Sequence, residues 1–434
     1  MTLAPAAAPP ANTAATPIAD LRIDPKRLRE DLRVLSQFGY NDTDHGIYRM
    51  AFTEADLDAR HWLRDQMAAL GMAVRIDGAA NVIGHWPPDN TRPAVILGSH
   101  TDTVPCGGHL DGNLGVLCGL ETARVLIEAD VRLEHPIEVI SFSDEEGRFG
   151  GMLGSEAFTG RLTPERLLSA TDLAGTRLAD AMTERGFEPT LALDARREPS
   201  SIAAFLELHI EQGPVLDTAR KQLGIVDKIT GLFRWSARLL GKPNHAGTTP
   251  MNLRQDAFLG LAEFANEIPR VLEENGSDRS RATIGNVELT PGAANTIPGC
   301  AEFSLDVRDT DPETLEELSR AFRKALSAIA RRHDLRFEFD EVSRIAPRPC
   351  ADAVVDALTH QAQRLESTYE IMPSGAAHDS QLLAEIAPVG MIFVPSRDGQ
   401  SHSPAEWTAW QDVEAGCNVL LQTTLTLATE SATL

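Results

Sequence analysis

Four short apolar runs in this chain each end in histidine or acidic residues, and that recurrence limits the fold more than any other feature. The first, residues 94–97, is fully apolar and bounded by Gly98, as a strand buried on both faces would be. It opens into a loop carrying His100, Asp102 and Asp111 before a helix beginning near Asn113. The second, around Ile137, Val139, Ile140 and Phe142, ends in Asp144, Glu145 and Glu146. Adjacent carboxylates repel one another unless a cation sits among them. A solvated charge run is the commoner origin of such a triplet, but these acids follow a buried strand. The third run, residues 202–208, delivers His209 with Glu211 and Gln212 ahead of a Gly-Pro turn, and the fourth, residues 391–394, leads to His402. No segment alone has zinc-finger spacing. Together, imidazoles and carboxylates at the carboxyl ends of separate apolar strands point to one shared site at the edge of an open α/β sheet. Such a ligand set suits Zn, Mn, Co or Ni.

With 434 residues the chain is long enough for two or three domains. Residues 1–20, rich in Ala, Pro and Thr, read as a disordered tail in place of a signal peptide. Asp24-Pro25 opens one helix, and Thr53 opens a second that stops at Gly71. Strands follow at 73–76 and 81–86, and the helix at 113–129 is apolar almost all round. Between about 224 and 340 the character changes: a strand (224–240), a helix (about 253–272), strands at 282–289 and 300–308, a helix from Asp311-Pro312, and a last strand (335–339). That βαββαβ order is a ferredoxin-like unit inserted into a larger α/β domain. The division expected is 21–223 with 345–434 for the larger domain and 224–344 for the insert. The insert's polar points are His245, Asn295 and Arg308, the last suited to grip a carboxylate.

A formal charge of −23 argues against a nucleic-acid partner or an anionic membrane surface. Five scattered cysteines suggest free thiols in a reducing cytoplasm. Cys106 lies in the first ligand loop but lacks a CxxC partner and reads as a bystander.

The motifs GSHTDTVPCGGHLDG, SFSDEEGRFG, ELHIEQGPVLD, NHAGTTPM, ANTIPG, DVRD, SGAAHD and GQSHSPAEW, in that order from about residue 40 to 425, resemble the hydantoinase/carbamoylase family of amidohydrolases in the dinuclear aminopeptidase/carboxypeptidase superfamily. The resemblance implies a catalytic domain holding two divalent metals and an inserted domain that forms a homodimer and acts as a lid. It implies that Asp111 bridges the metals, that His100 and His209 complete one ion's ligands, and that Glu146 and His402 complete the other's. Asp102 would orient His100, and Glu145 would be the general base. His245 would reach into the partner's site to stabilise an oxyanion, Gln212 and Asn295 would bind substrate, and Arg308 would clamp its carboxylate. The implied substrate is an N-carbamoyl-L-amino acid, with allantoate, β-ureidopropionate or a peptide-like or N-acyl amide as alternatives. Outside enzymology, a binding protein that kept the fold is the alternative, and the intact set of five ligands plus Glu145 speaks against it. Ala377 in SGAAHD and Leu110 in GGHLDG depart from the usual pattern near the pocket.

Overall fold

The structure, a computed structural model, describes residues 17–429. The tail expected over 1–20 therefore lies outside the described residues up to residue 16, while Ile18–Asp20 forms a short 3-10 helix. The chain folds around two sheets with separate cores.

The larger sheet has nine strands, and its centre is parallel: Ile137–Phe142, Ala94–His100, Ile202–Ile210 and Val389–Val394 lie side by side in that order. These are the four apolar runs of the sequence. Each is buried on both faces, because alternate residues serve two different cores: Val95 and Leu97 enter one, Ala94 and Ile96 the other. The first core is covered by Pro25–Leu35, Asn113–Glu128 and Trp410–Thr429. Asp24 caps the first of these helices, with Pro25 at its first position, and Thr53 caps Glu54–Ala69. Because the central strands are parallel, their carboxyl ends share one edge, where the His and acid residues gather.

The third strand runs on to Ile210, so His209 lies within it and not past its end. At the insert the sequence reading needs correction. The expected strand over 224–240 is two strands: Leu223–Ile229 belongs to the larger sheet, paired with Val389–Val394 and Tyr369–Ser374, and Gly231–Leu240 begins the smaller one. The chain changes sheets at Thr230 with no turn residue to mark it. It returns after Arg336–Ile345, where Pro347 packs on Gly231 so closely that a Cβ there would overlap the proline. The expected strand over 282–289 is likewise two short strands, Arg281–Thr283 and Val287–Thr290, both paired with Cys300–Asp309.

The smaller sheet runs Arg336–Ile345, Gly231–Leu240, Cys300–Asp309, then those two short strands, all antiparallel, which is the ferredoxin-like order. Helices Ala257–Asn275 and Pro312–Arg332 cover one face through Phe264, Phe322 and Leu326 against Phe233, Phe303 and Leu305. The first of these, capped by Asp256, starts at Ala257, later than the expected 253, because Met251–Leu253 forms a 3-10 turn. None of the five cysteines is disulfide-bonded, and no described helix is long and apolar enough to cross a membrane.

Candidate functional site

His100 is the last residue of its strand, and Asp111 sits just before helix Asn113–Glu128. Gly112, between Asp111 and that helix, has φ +64°, a left-handed backbone that favours glycine, and a Cβ there would overlap the His100 imidazole. Asp111 can thus approach both histidines. Its Oδ1 lies 3.1 Å from His209 Nε2 and 3.6 Å from His100 Nε2, and its Oδ2 lies 3.4 Å from His402 Nε2. His402 Nε2 is also 3.4 Å from Glu146 Oε2.

Among the described residues three groups could hold a metal ion: His100, Asp111 and His209, all buried; Asp111, Glu146 and His402, with His402 half exposed; and Glu207, His209 and His378, which does not include Asp111. Asp111 belongs to the first two of these. The tautomers suit ligation, since a ring nitrogen facing a carbonyl must carry the proton. His209 Nδ1 donates to the carbonyl of Ile210 at 2.9 Å and His100 Nδ1 to that of Asp102 at 3.1 Å, so that in the neutral rings both Nε2 lone pairs face Asp111 and are available to a cation placed between them.

Asp102 differs from the expectation in detail. Its main-chain carbonyl is what restrains His100, while its carboxylate, 3.8 Å from that ring, accepts the N–H groups of Glu145 (3.3 Å) and Glu146 (3.1 Å). It fixes the backbone of the acid pair. Asp144 turns away, accepting the N–H of Phe149.

The electrostatics call for a cation. Burial, then Asp379 and Glu146, push the Glu145 carboxyl well above the usual carboxylate range, and burial with Asp111 and Asp102 does the same to Glu146. Burial also works against ionisation of Asp111, but the charge of His209 and hydrogen bonds from His209 and His402 override it and hold the carboxyl well below its usual range. His209 is driven down by burial and up by Asp111, to about 9. Glu146 Oε1 is buried without a hydrogen-bond partner. Imidazole and carboxylate donors around one shared carboxylate, with an orphaned oxygen, fit divalent metal binding.

His100, Asp111, Glu145, Glu146, His209 and His402 line a cavity of about 1140 Å³, with Gln212, Arg308 and Ala377 also on its walls. Gln212 Nε2 donates to Asp111 Oδ2 at 2.7 Å. Arg308 reaches from the smaller sheet to the carbonyl of Gly375 at 2.7 Å. His245 and Asn295 are brought together elsewhere: Ala246 N–H donates to the Asn295 carbonyl at 2.9 Å, and both side chains are exposed off the cavity wall. His245 Nδ1 accepts from the N–H groups of Gly247 (3.0 Å) and Thr248 (3.2 Å), so the proton is on Nε2, a free donor.

Several residues escaped the sequence reading. Glu406 is buried, and its Oε1 accepts the N–H groups of Leu110 (2.6 Å) and Asp111 (3.0 Å). Ser401 Oγ lies 2.8 Å from Asp111 Oδ2 and 3.3 Å from Glu406 Oε2, tying the loop that carries His402 to the one that carries Asp111. Gly108 is needed there, since a Cβ would overlap the Glu406 carboxylate. Glu207 accepts from Ser99 Oγ (2.7 Å) and Ser380 Oγ (2.6 Å), and the His378 ring packs edge-on against His209 at 4.5 Å. The only sequence signal for Glu406 and His378 was membership in the quoted motifs GQSHSPAEW and SGAAHD.

Comparison with known proteins gives a consistent picture. The profile of peptidase family M20/M25/M40 matches residues 96–426. An N-carbamoyl-L-amino acid amidohydrolase of Geobacillus stearothermophilus is 39% identical over 410 residues, covering 94% of this chain and 99% of that protein. One from Paenarthrobacter aurescens is 38% identical, covering 92% and 96%. The crystal structure of a hydantoinase/carbamoylase family amidase from Burkholderia multivorans superposes with a TM-score of 0.87 at 34% identity, covering 95% of this chain and 100% of that one.

Proposed function

Because the chain belongs to peptidase family M20/M25/M40 and to its hydantoinase/carbamoylase amidases, we propose that it is a metal-dependent amidohydrolase that cleaves the ureido C–N bond of an N-carbamoyl-L-amino acid, giving the amino acid, ammonia and carbon dioxide. The observation that carries this reading is Asp111, whose two oxygens face two ligand groups on the floor of a cavity that also holds Arg308.

In this reading His100, Asp111 and His209 hold one divalent ion and Asp111, Glu146 and His402 the other, with Zn, Mn, Co or Ni selected by availability. The chemistry such ions would supply when bound is polarisation of the substrate carbonyl and a lowered pKa for the attacking water. Glu145 then has the role of general base: it takes the proton of the attacking water and returns it to the leaving nitrogen. Burial among other acids makes its carboxyl a better proton carrier than a solvated one. Asp102 keeps Glu145 and Glu146 in place through their main-chain N–H groups. Arg308 clamps the substrate carboxylate, Gln212 and Asn295 bind its polar groups, and the Nε2–H of His245 stabilises the developing oxyanion.

Since His245 and Asn295 lie off the cavity of their own chain, the reading places them at the site of a partner in a homodimer, with the smaller unit as lid. Exposed Met251, Leu253, Phe258 and Leu259 on that unit supply an apolar surface suited to such a contact. Five cysteines without a disulfide fit a cytoplasmic protein.

The test is ammonia release by protein stripped of metal and reloaded separately with Zn, Mn, Co and Ni. The panel is N-carbamoyl-L-amino acids, β-ureidopropionate and allantoate, with N-acetyl amino acids and dipeptides followed by release of amino acid. Metal-dependent turnover of an N-carbamoyl-L-amino acid above all others is the expected result. Silence on ureido substrates with two ions bound overturns it.

A further inference from the structure

The cavity that holds the ligand set is also lined by Arg234, Arg279, Arg281 and Arg308, in a chain whose formal charge is −23. On the smaller sheet, the face turned away from its helices carries Arg234, Asp306, Arg308 and Arg281, since Phe233, Trp235, Leu305 and Val307 take the alternate positions in the core. The register sets Arg308 directly across from Arg281, and Arg234 directly across from Asp306. Like charges in that relation destabilise a strand pair unless an anion joins them. Arg281 belongs to a strand of only three residues, Arg281–Thr283, at the edge of the sheet.

The acids of this wall that form ion pairs do so with other arginines. Asp306 takes Arg234 and Arg308, each at 2.8 Å, and Arg279 on the same wall is held by Asp227 at 3.0 Å. Among the described residues Arg281 has no carboxylate partner. Its Nη1 donates to the main-chain carbonyls of Asp278 (2.9 Å) and Ser280 (2.8 Å), which anchor the guanidinium by one nitrogen on the cavity wall. The other charges on the rim, Asp278 and Glu370, form no ion pair with it.

We propose that Arg281 binds a second carboxylate of the substrate beside the one held by Arg308, so that the preferred substrates are N-carbamoyl derivatives of dicarboxylic amino acids. The inference rests on the amidohydrolase reading above. Directly opposed residues of an antiparallel pair have Cα atoms about 4.5–5.5 Å apart. Two arginines rooted at that spacing on one face of the sheet suit the two carboxylates of a four- or five-carbon diacid whose ureido group reaches the ligand set. An apolar side chain would leave Arg281 without a carboxylate partner.

The test compares N-carbamoyl-L-aspartate and N-carbamoyl-L-glutamate with their neutral near-isosteres, N-carbamoyl-L-asparagine and N-carbamoyl-L-glutamine, on the metal-loaded full chain. The wild-type protein turns over the diacids with the higher kcat/KM. Arg281→Gln lowers kcat/KM for the diacids by about 10- to 100-fold, mostly through KM, as loss of a charge-assisted hydrogen bond does. It leaves the amides unchanged within about two-fold, and Arg281→Lys recovers part of the loss. Equal turnover of diacid and amide by the wild type, or an equal loss on both in Arg281→Gln, overturns the proposal and leaves the amidohydrolase reading standing. Absence of turnover on every ureido compound overturns both.

Discussion

At the scale of single residues, the site depends on where carboxylates are held as much as on how many there are. Asp111 serves two ligand groups because Gly112 lets it approach His100, and because Gln212, Ser401 and the main-chain hold of Glu406 fix its remaining freedom. Removing that hold in Glu406→Ala is expected to weaken metal affinity by about 10- to 100-fold, measured by calorimetric titration of the stripped protein. Glu406→Gln should recover part of it, because an amide oxygen still accepts the N–H groups of Leu110 and Asp111. Glu145→Gln should behave in the opposite way. Its metal stoichiometry should stay at the wild-type value while kcat falls by about 100- to 10,000-fold, the usual worth of a general base; near wild-type turnover would remove Glu145 from that role. The His and acid residues were legible in the sequence because their chemistry is a property of residue type and of strand-end position. Glu406 was not, because its importance comes from bonds to Leu110 and Asp111, nearly three hundred residues away along the chain. Nothing local distinguishes it from an exposed glutamate.

At the scale of elements, the four central strands were legible because a strand covered on both faces has few positions for polar residues. Their common orientation could only be inferred from where their polar ends would have to meet. The passage from the larger sheet to the smaller was missed because Leu223–Ile229 and Gly231–Leu240 are joined by a single residue, so propensity reads one long strand. The pattern does change there: the first strand is mostly buried, and the second alternates from Phe233 onward, as a sheet with one solvated face requires. The smaller unit has its own core, with Phe322 packed edge-on against Phe264 at 6.0 Å. Phe322→Ala is therefore expected to cost about 3–5 kcal/mol. That loss should appear as faster hydrogen exchange confined to the smaller sheet, with metal stoichiometry unchanged. Equal acceleration in the parallel strands would mean that the two cores unfold as one.

At the scale of the whole molecule, a single chain brings the ligand set, Glu145, Gln212 and Arg308 to one cavity but leaves His245 and Asn295 outside it. If those two act at a partner's site, two lesions on different subunits can be sorted by mixing. Chains carrying Glu145→Gln and chains carrying His245→Ala should each form inactive or nearly inactive homodimers. In a mixed dimer, the site built on the His245→Ala chain keeps its own Glu145 and receives His245 from the other subunit, so it is whole. The second site inherits both lesions. With random assortment about half of the dimers are mixed and one of their two sites works, so co-expressed chains should show about a quarter of wild-type turnover. If His245 serves its own chain's cavity by lid closure, every site in every dimer carries a lesion and mixing recovers nothing. Dimerisation in solution with no recovery would thus assign His245 to the cavity of its own chain, whereas recovery to about a quarter would make the dimer the smallest complete catalytic unit.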